Sequence, residues 1–295
     1  MVKEKKRAAI ISVFAAIFLT VSKLVIGLVT GSLGILSEAL HSGLDLIAAV
    51  ITYFSVSISD NPPDKKHNYG HGKIENFSAL IETTLLLITC VWIVYEAIER
   101  LTSGKTHMEV SVWSYVVIIS SIIIDINRSR MLYKVAKKHN SQALEADALH
   151  FSTDIWSSSV VLFGIICANF GFFFADSIAA LVVALIVLFV SYRLGKKAIN
   201  ILLDKAPPEK FNLVKEVLGK TPEIINYHSI KIRTSGATTF IMFSIHVNPE
   251  LSLSQVHLIC EILENKIASL IDRSEILIHA EPYNLKHIQN EEYDY

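Results

Sequence analysis

Residues 8–200 consist almost entirely of long apolar runs, and six are long enough to cross a bilayer: 8–30, 33–58, 77–99, 111–131, 143–169 and 174–199. A hydrocarbon core about 30 Å thick takes about 20 helical residues. Lipid offers no hydrogen bonds to backbone groups, so such runs fold as helices. The second and fifth runs are more polar than the rest. TGSLG (30–34) makes a tight turn between the first two, and NFGFFFAD (169–176) separates the last two. MVKEKKR precedes the first run, which continues to about residue 30 without an A-x-A-like site, so it reads as a retained membrane helix and not as a cleaved leader.

The basic residues give the orientation. Lys3, Lys5, Lys6 and Arg7 precede the first run, and Lys65, Lys66 and Lys73 follow the second. Arg128, Arg130, Lys134, Lys137 and Lys138 follow the fourth, and Arg193, Lys196 and Lys197 close the sixth. The other three connections hold only Arg100 and Lys105. An excess of Lys and Arg marks the cytoplasmic side, so both termini are expected there, in agreement with six spans. Charged residues make up 19% of the chain, below the ~25% of soluble domains. The net charge of −1 excludes the global basic signal of a nucleic-acid binder. Cys90, Cys167 and Cys260 stand far apart and form no CxxC, which argues against a disulfide framework or a zinc finger.

Composition changes at Ala206-Pro207-Pro208, dividing the chain into a membrane domain over 1–206 and a soluble domain over 207–295. EKFNLVKEVLGK (209–220) reads as an amphipathic helix. NYHSIKIRT (226–234) and TTFIMFSIHV (238–247) read as strands joined by a turn at Ser235-Gly236-Ala237. SLSQVHLICEILENKIASLI (252–271) reads as a second helix capped by Ser252 or Ser254, and SEILIHAEP (274–282) as a last strand. The order α-β-β-α-β suits a small sheet with helices on one face.

The second apolar run contains ALHSGLD, with His41 and Asp45, and the fifth contains ALHFSTD, with His150 and Asp154. Spacing of i, i+4 puts each pair on one helix face, one turn apart. A carboxylate at the bilayer centre costs at least about 2.5 kcal/mol on insertion scales. Two of them at matching depth repel unless a cation lies between. Two neutral imidazoles, two carboxylates and one divalent ion form a neutral set, and N2O2 donors suit tetrahedral zinc. A single such pair would read equally well as a helix–helix hydrogen bond; the repeat on a second helix favours a shared metal site. Ser42, Gly43, Ser152 and Ser157 to Ser159 are small enough for close helix approach, and Gly27 and Gly31 form a weak GxxxG. Glu82 and Asp125 read as paired with neighbours or as lining a water-filled path, with pairing favoured. Lys23 is expected to snorkel outward.

These residues resemble the cation diffusion facilitator family of metal exporters, and the likeness covers nearly the whole chain. It is carried by GSLGILSEALHSGLD, by HNYGHGKIEN, by ALEADALHFSTDIWSS and by the ending ILIHAEP. The resemblance implies a six-transmembrane-helix bundle followed by a small α+β cytoplasmic domain of metallochaperone (ferredoxin-like) type. It implies a homodimer in which His41, Asp45, His150 and Asp154 of each protomer carry Zn2+ out of the cytoplasm, with protons as counter-ion. A histidine at position 41 resembles the zinc-selective members. Asp64, His67 and His71 match a second metal site in the cytoplasmic loop, and Lys73 and Asp204 match a salt bridge between loop and tail. His228, His257, His279 and Glu281 fall on the positions of a regulatory metal site in the tail. Ser244 stands where a histidine is expected there. His246, two residues on and on the same strand face, reads either as a substitute ligand or as a plain surface residue. The short loops fit a bacterial inner membrane.

Iron, cobalt, cadmium and manganese are alternative cargoes; two imidazoles argue against manganese, which prefers oxygen ligands. A membrane-embedded metalloenzyme would need an open metal position and a base, and neither HExxH nor GxSxG occurs. A membrane-anchored metal sensor would have no need of four ionisable side chains at bilayer depth.

Overall fold

The computed structural model describes residues 2–31, 33–103, 112–169 and 174–284. The chain divides into two compact units, Met1–Ile199 and Asn200–Tyr295. Within the first lie α1 (Val2–Thr30), α2 (Leu33–Ser59), α3 (Lys73–Ser103), α4 (Val112–His139), α5 (Gln142–Asn169) and most of α6 (Phe174–Leu202). Helices of 27–31 residues reach ~40–47 Å at 1.5 Å per residue, more than the hydrocarbon layer. The expected six runs therefore become six helices, with ends that extend beyond the apolar stretches. Ser32 of the first turn, and residues 170–173 of NFGFFFAD, lie outside the described residues.

Among the described residues, three helices are by themselves apolar and long enough to cross a membrane: Lys3–Thr30, Glu38–Ser59 and Lys73–Glu99. The sequence reading had six. In α4 and α5 the apolar run is diluted by Asp125, Asn127 and Arg128, and by Glu145, Asp147, His150 and Asp154. The bundle is arranged accordingly. Phe14, Phe18, Leu28, Leu44, Phe54 and Phe189 are exposed on its outside, while Asp45, Glu82, Asp125, Arg128, Asp147 and His150 are buried within. α1 packs along α2 and α4, α4 along α5, and α3 against α2 and α5. α1 and α2 approach closely at Gly27: a Cβ there would stand 2.8 Å from Leu36 Cδ2 and 3.1 Å from the Leu36 nitrogen. The chain then reverses at Gly31, whose φ of +65° a side chain would strain. The GxxxG signal thus serves an intrachain hairpin.

The second unit comprises α7 (Pro208–Gly219), β1 (Asn226–Ser235), β2 (Thr238–Val247), α8 (Leu253–Leu270) and β3 (Ser274–Pro282). β2 is central, antiparallel to β1 and parallel to β3. Val214 and Leu218 of α7 and Leu263 and Ile267 of α8 pack with Ile241 and Ile245 of β2 into one core. Ser252 caps α8 with Gln255 in a reciprocal capping box. The β1–β2 register shifts between His228 and Lys231, where Ser229 takes a φ of +54°. Such a bulge re-aims the side chain beside it, here His228.

Candidate metal centre

α2 and α5 bring the two HxxxD pairs together. His150 Nε2 lies 3.0 Å from Asp45 Oδ1 and 3.8 Å from Asp154 Oδ2, and His41 Nε2 lies 3.7 Å from Asp154 Oδ1. Donor atoms of His41, Asp45 and Asp154 all fall within 4.8 Å of one another. Four donors about 2.1 Å from a tetrahedral zinc stand about 3.4 Å apart; the three separations of 3.0–3.8 Å lie near that length, while His150 is not in the group of three within 4.8 Å. The His150 side chain is 4% exposed and that of His41 33%, so the set opens at His41. Asp154 Oδ2 and His150 Nδ1 are buried without a hydrogen-bond partner. An orphaned buried acceptor is costly, and a cation bound there would satisfy the carboxylate.

The surroundings are polar and braced. Arg128 donates from Nε to Ser12 Oγ at 2.8 Å, lies over the Phe151 ring at 3.3 Å, and sits 3.8 Å from Asp125. Ser12 in turn donates to Asp147 Oδ2 at 3.1 Å. Glu82 accepts from Thr52 and, at 3.3 Å, from Ser78. Asp125 and Glu82 are thus paired with neighbours, each keeping one buried oxygen without a hydrogen bond. Lys23 corrects the sequence reading: it does not snorkel outward. Its Nζ turns into the bundle, donating to Ser42 Oγ at 2.8 Å and to Glu38 at 3.1 Å. A local hydroxyl and carboxylate replace the water that a snorkelling ammonium would seek.

A second cluster lies on the α2–α3 loop. His67 Nδ1 is 3.4 Å from Asp64 Oδ1, His71 Nε2 is 3.5 Å from Asp64 Oδ2, and the two imidazole rings are 4.5 Å apart. The backbone N–H groups of His67 (2.6 Å) and Lys66 (2.7 Å) donate to Asp64 Oδ1. These two bonds hold the Asp64 carboxyl below the usual carboxylate range. Three donors on a half-exposed loop leave coordination positions for water. Lys73 opens α3, and Asp204, in the second unit, faces Arg233 Nη1 at 3.5 Å.

The third cluster is on the sheet. The bulge turns His228 onto His246, the rings stacking at 5.0 Å, and Glu281 Oε2 lies 3.5 Å from His246 Nε2. Donor atoms of His228, His246 and Glu281 fall within 4.8 Å of one another. His246 is not a surface residue: it is 1% exposed, and its Nδ1 is buried without a hydrogen-bond partner. Central position in the sheet buries it, with the Tyr283 ring edge-on at 6.3 Å. Ser244 sits in register between His228 and His279. His279 reaches Glu281 Oε1 at 3.1 Å but its side chain is 72% exposed. Neither His279 nor His257, exposed on α8, belongs to the group of three among the described residues.

Comparison with known proteins accounts for both units. Residues 9–203 match the cation efflux transmembrane domain, and residues 206–283 match the cytoplasmic domain of cation efflux proteins. An uncharacterised transporter of Methanocaldococcus jannaschii is 31% identical over 280 residues, covering 95% of this chain and 99% of its own. The cation-efflux pump FieF of Citrobacter koseri is 30% identical over 279 residues, covering 94% and 92%. Among solved structures, the metal-bound C-terminal domain of the CzcD transporter from Thermotoga maritima is 26% identical, with a TM-score of 0.25, covering 26% of this chain and 92% of that one. The chain belongs to the cation efflux family, the cation diffusion facilitators. It is a multi-pass membrane transporter for metal cations, and its family is not one of enzymes.

Proposed function

We propose that this chain exports zinc from the cytoplasm in exchange for protons, using His41, Asp45, His150 and Asp154 as the transport site. The observation that carries this reading is the chain of three separations, 3.0–3.8 Å, that links His150 to Asp45, His150 to Asp154 and His41 to Asp154 across α2 and α5. Two neutral imidazoles and two carboxylates compensate a divalent ion in charge, so the loaded site suits a low-dielectric bundle. Imidazole nitrogen binds either a metal or a proton. Protons entering from outside therefore displace the ion and reset the carrier, which couples the two fluxes. Alternating access follows if the helices carrying the pairs rock, so that His41 opens to one face at a time.

The other clusters have subordinate roles in this account. Asp64, His67 and His71 capture the ion on the cytoplasmic side, where an anionic Asp64 and two imidazoles offer a weak first station. His228, His246 and Glu281 hold a regulatory ion in the cytoplasmic domain, with His279, 3.1 Å from Glu281, as a peripheral ligand. The working form is a homodimer in a bacterial inner membrane with both termini in the cytoplasm, as the distribution of Lys and Arg supports.

The mixed N2O2 set also admits iron, cobalt or cadmium. Calorimetric competition between zinc and each of these ions on the detergent-purified protein tests the choice. Zinc binding at least tenfold tighter than iron, cobalt and cadmium supports the reading, and a tighter rival replaces zinc as cargo.

A further inference from the structure

Away from the metal ligands, the helical unit buries a second set of charges that coordination does not use. Lys5, near the start of α1, is 1% exposed, with Nζ 2.7 Å from Asp60 Oδ1 and 2.8 Å from Glu75 Oε1. Ser59 donates to Glu75 Oε1 at 2.9 Å, and Ser141 donates to Glu75 Oε2 at 2.5 Å. The cluster thus ties together the start of α1, the end of α2, the first turn of α3 and the residue before α5. All these points lie at the end of the bundle where the Asp64–His71 loop joins α2 to α3. At 1.5 Å per residue, Ser141 stands about 14 Å along α5 from His150, and Asp60 about 22 Å along α2 from Asp45. A cation passing from the loop to the transport site between α2 and α5 meets these ties on the way.

Their energetics suit a closure that opens. One ammonium serves two carboxylates, and Asp60 Oδ2 is buried with no hydrogen-bond partner, so the closed cluster keeps a net negative charge. A buried ion pair gains strong attraction, but desolvation offsets most of it. When the helix ends part and water enters, all three ions recover their hydration. The closed and open arrangements therefore lie close in free energy, as a two-state element requires.

We propose that Lys5, held between Asp60 and Glu75, is the bolt of the inward gate: it closes the path from the cytoplasmic loop to the transport site and releases when the helix ends separate. The direction of approach rests on the export reading given above. The test uses the full chain with Cys90, Cys167 and Cys260 replaced by alanine and with Ser55→Cys, a buried position on α2 between the cluster and Asp45. A charged maleimide is added to vesicles from the face that bears the N-terminus. Lys5→Gln and Asp60→Asn are each expected to label at least tenfold faster than the parent. Each should lower KM for zinc together with kcat, because the inward-open state is enriched and closure is slowed. A merely structural role would reduce yield and leave the labelling rate, KM and kcat each unchanged. Labelling at the parent rate overturns the proposal. If Lys5→Gln fails to accumulate, Asp60→Asn decides alone, since it leaves Lys5 bonded to Glu75. Zinc uptake by the parent separates the two claims: its failure refutes export, while the labelling ratio still judges the bolt.

Discussion

The transport quartet and the sheet triad draw on the same chemistry, imidazole and carboxylate, but stand on different backbones. In the quartet each helix supplies a His and an Asp one turn apart, and only α2 and α5 must meet. In the triad each of three strands supplies one residue, and the set depends on a bulge at Ser229 and on the register that places His246 opposite Glu281. A helical pair is written in local spacing. A sheet cluster exists only after three strands have found their register. The quartet sits within the helical unit, where an unmatched buried charge is costly, whereas His228 and Glu281 of the triad are partly exposed.

That contrast sorts the substitutions. His150→Ala removes the imidazole that lies between Asp45 and Asp154, and should reduce zinc flux at least about a hundredfold, since even outer partners of metal ligands are worth 10- to 100-fold. Flux in reconstituted vesicles measures it, and a loss under fivefold breaks the distinction between the two sites. His41→Asp adds an oxygen at the exposed edge of the quartet and should keep transport while raising manganese flux relative to zinc about tenfold. Competition between the two ions reads this out. His246→Ala should leave flux within about threefold. It should abolish the thermal stabilisation that zinc gives the cytoplasmic domain, about 2.7 kcal/mol at a hundred times Kd. His257→Ala should keep that stabilisation, and differential scanning calorimetry compares the two. The smallest effect falls on the loop: Asp64→Asn should raise KM about threefold with kcat unchanged, the mark of lost uniform binding. The His67 and Lys66 N–H groups hold Asp64 below the usual carboxylate range, so its contribution to zinc capture should persist as pH falls through that range. Zinc titrations of the loop at falling pH should therefore keep the same difference in affinity between wild type and Asp64→Asn.

The same contrast explains what could be read from the chain before its fold was known. The six helices follow from the length of the apolar runs, and the α-β-β-α-β succession of the tail and both HxxxD pairs from local pattern and spacing that each segment displays by itself. The role of His246 does not, because its burial comes from β1 and β3 on either side. Lys23 looked like a snorkelling side chain because Ser42, its partner, is 19 positions away. By sequence Lys5 belongs to the basic N-terminal stretch that signals orientation, although its partners lie 55 and 70 positions along the chain. Buried pairs of this kind become legible only once helices are packed.

The central claim is that two carboxylates and two imidazoles within the bundle carry the ion. Asp154→Ala in sealed vesicles tests it most directly, with zinc entry and proton exit recorded together and metal content per protomer weighed by mass spectrometry. The account predicts no zinc-driven proton flux above empty vesicles and one fewer zinc per protomer than in wild type. Exchange at the wild-type rate would contradict it.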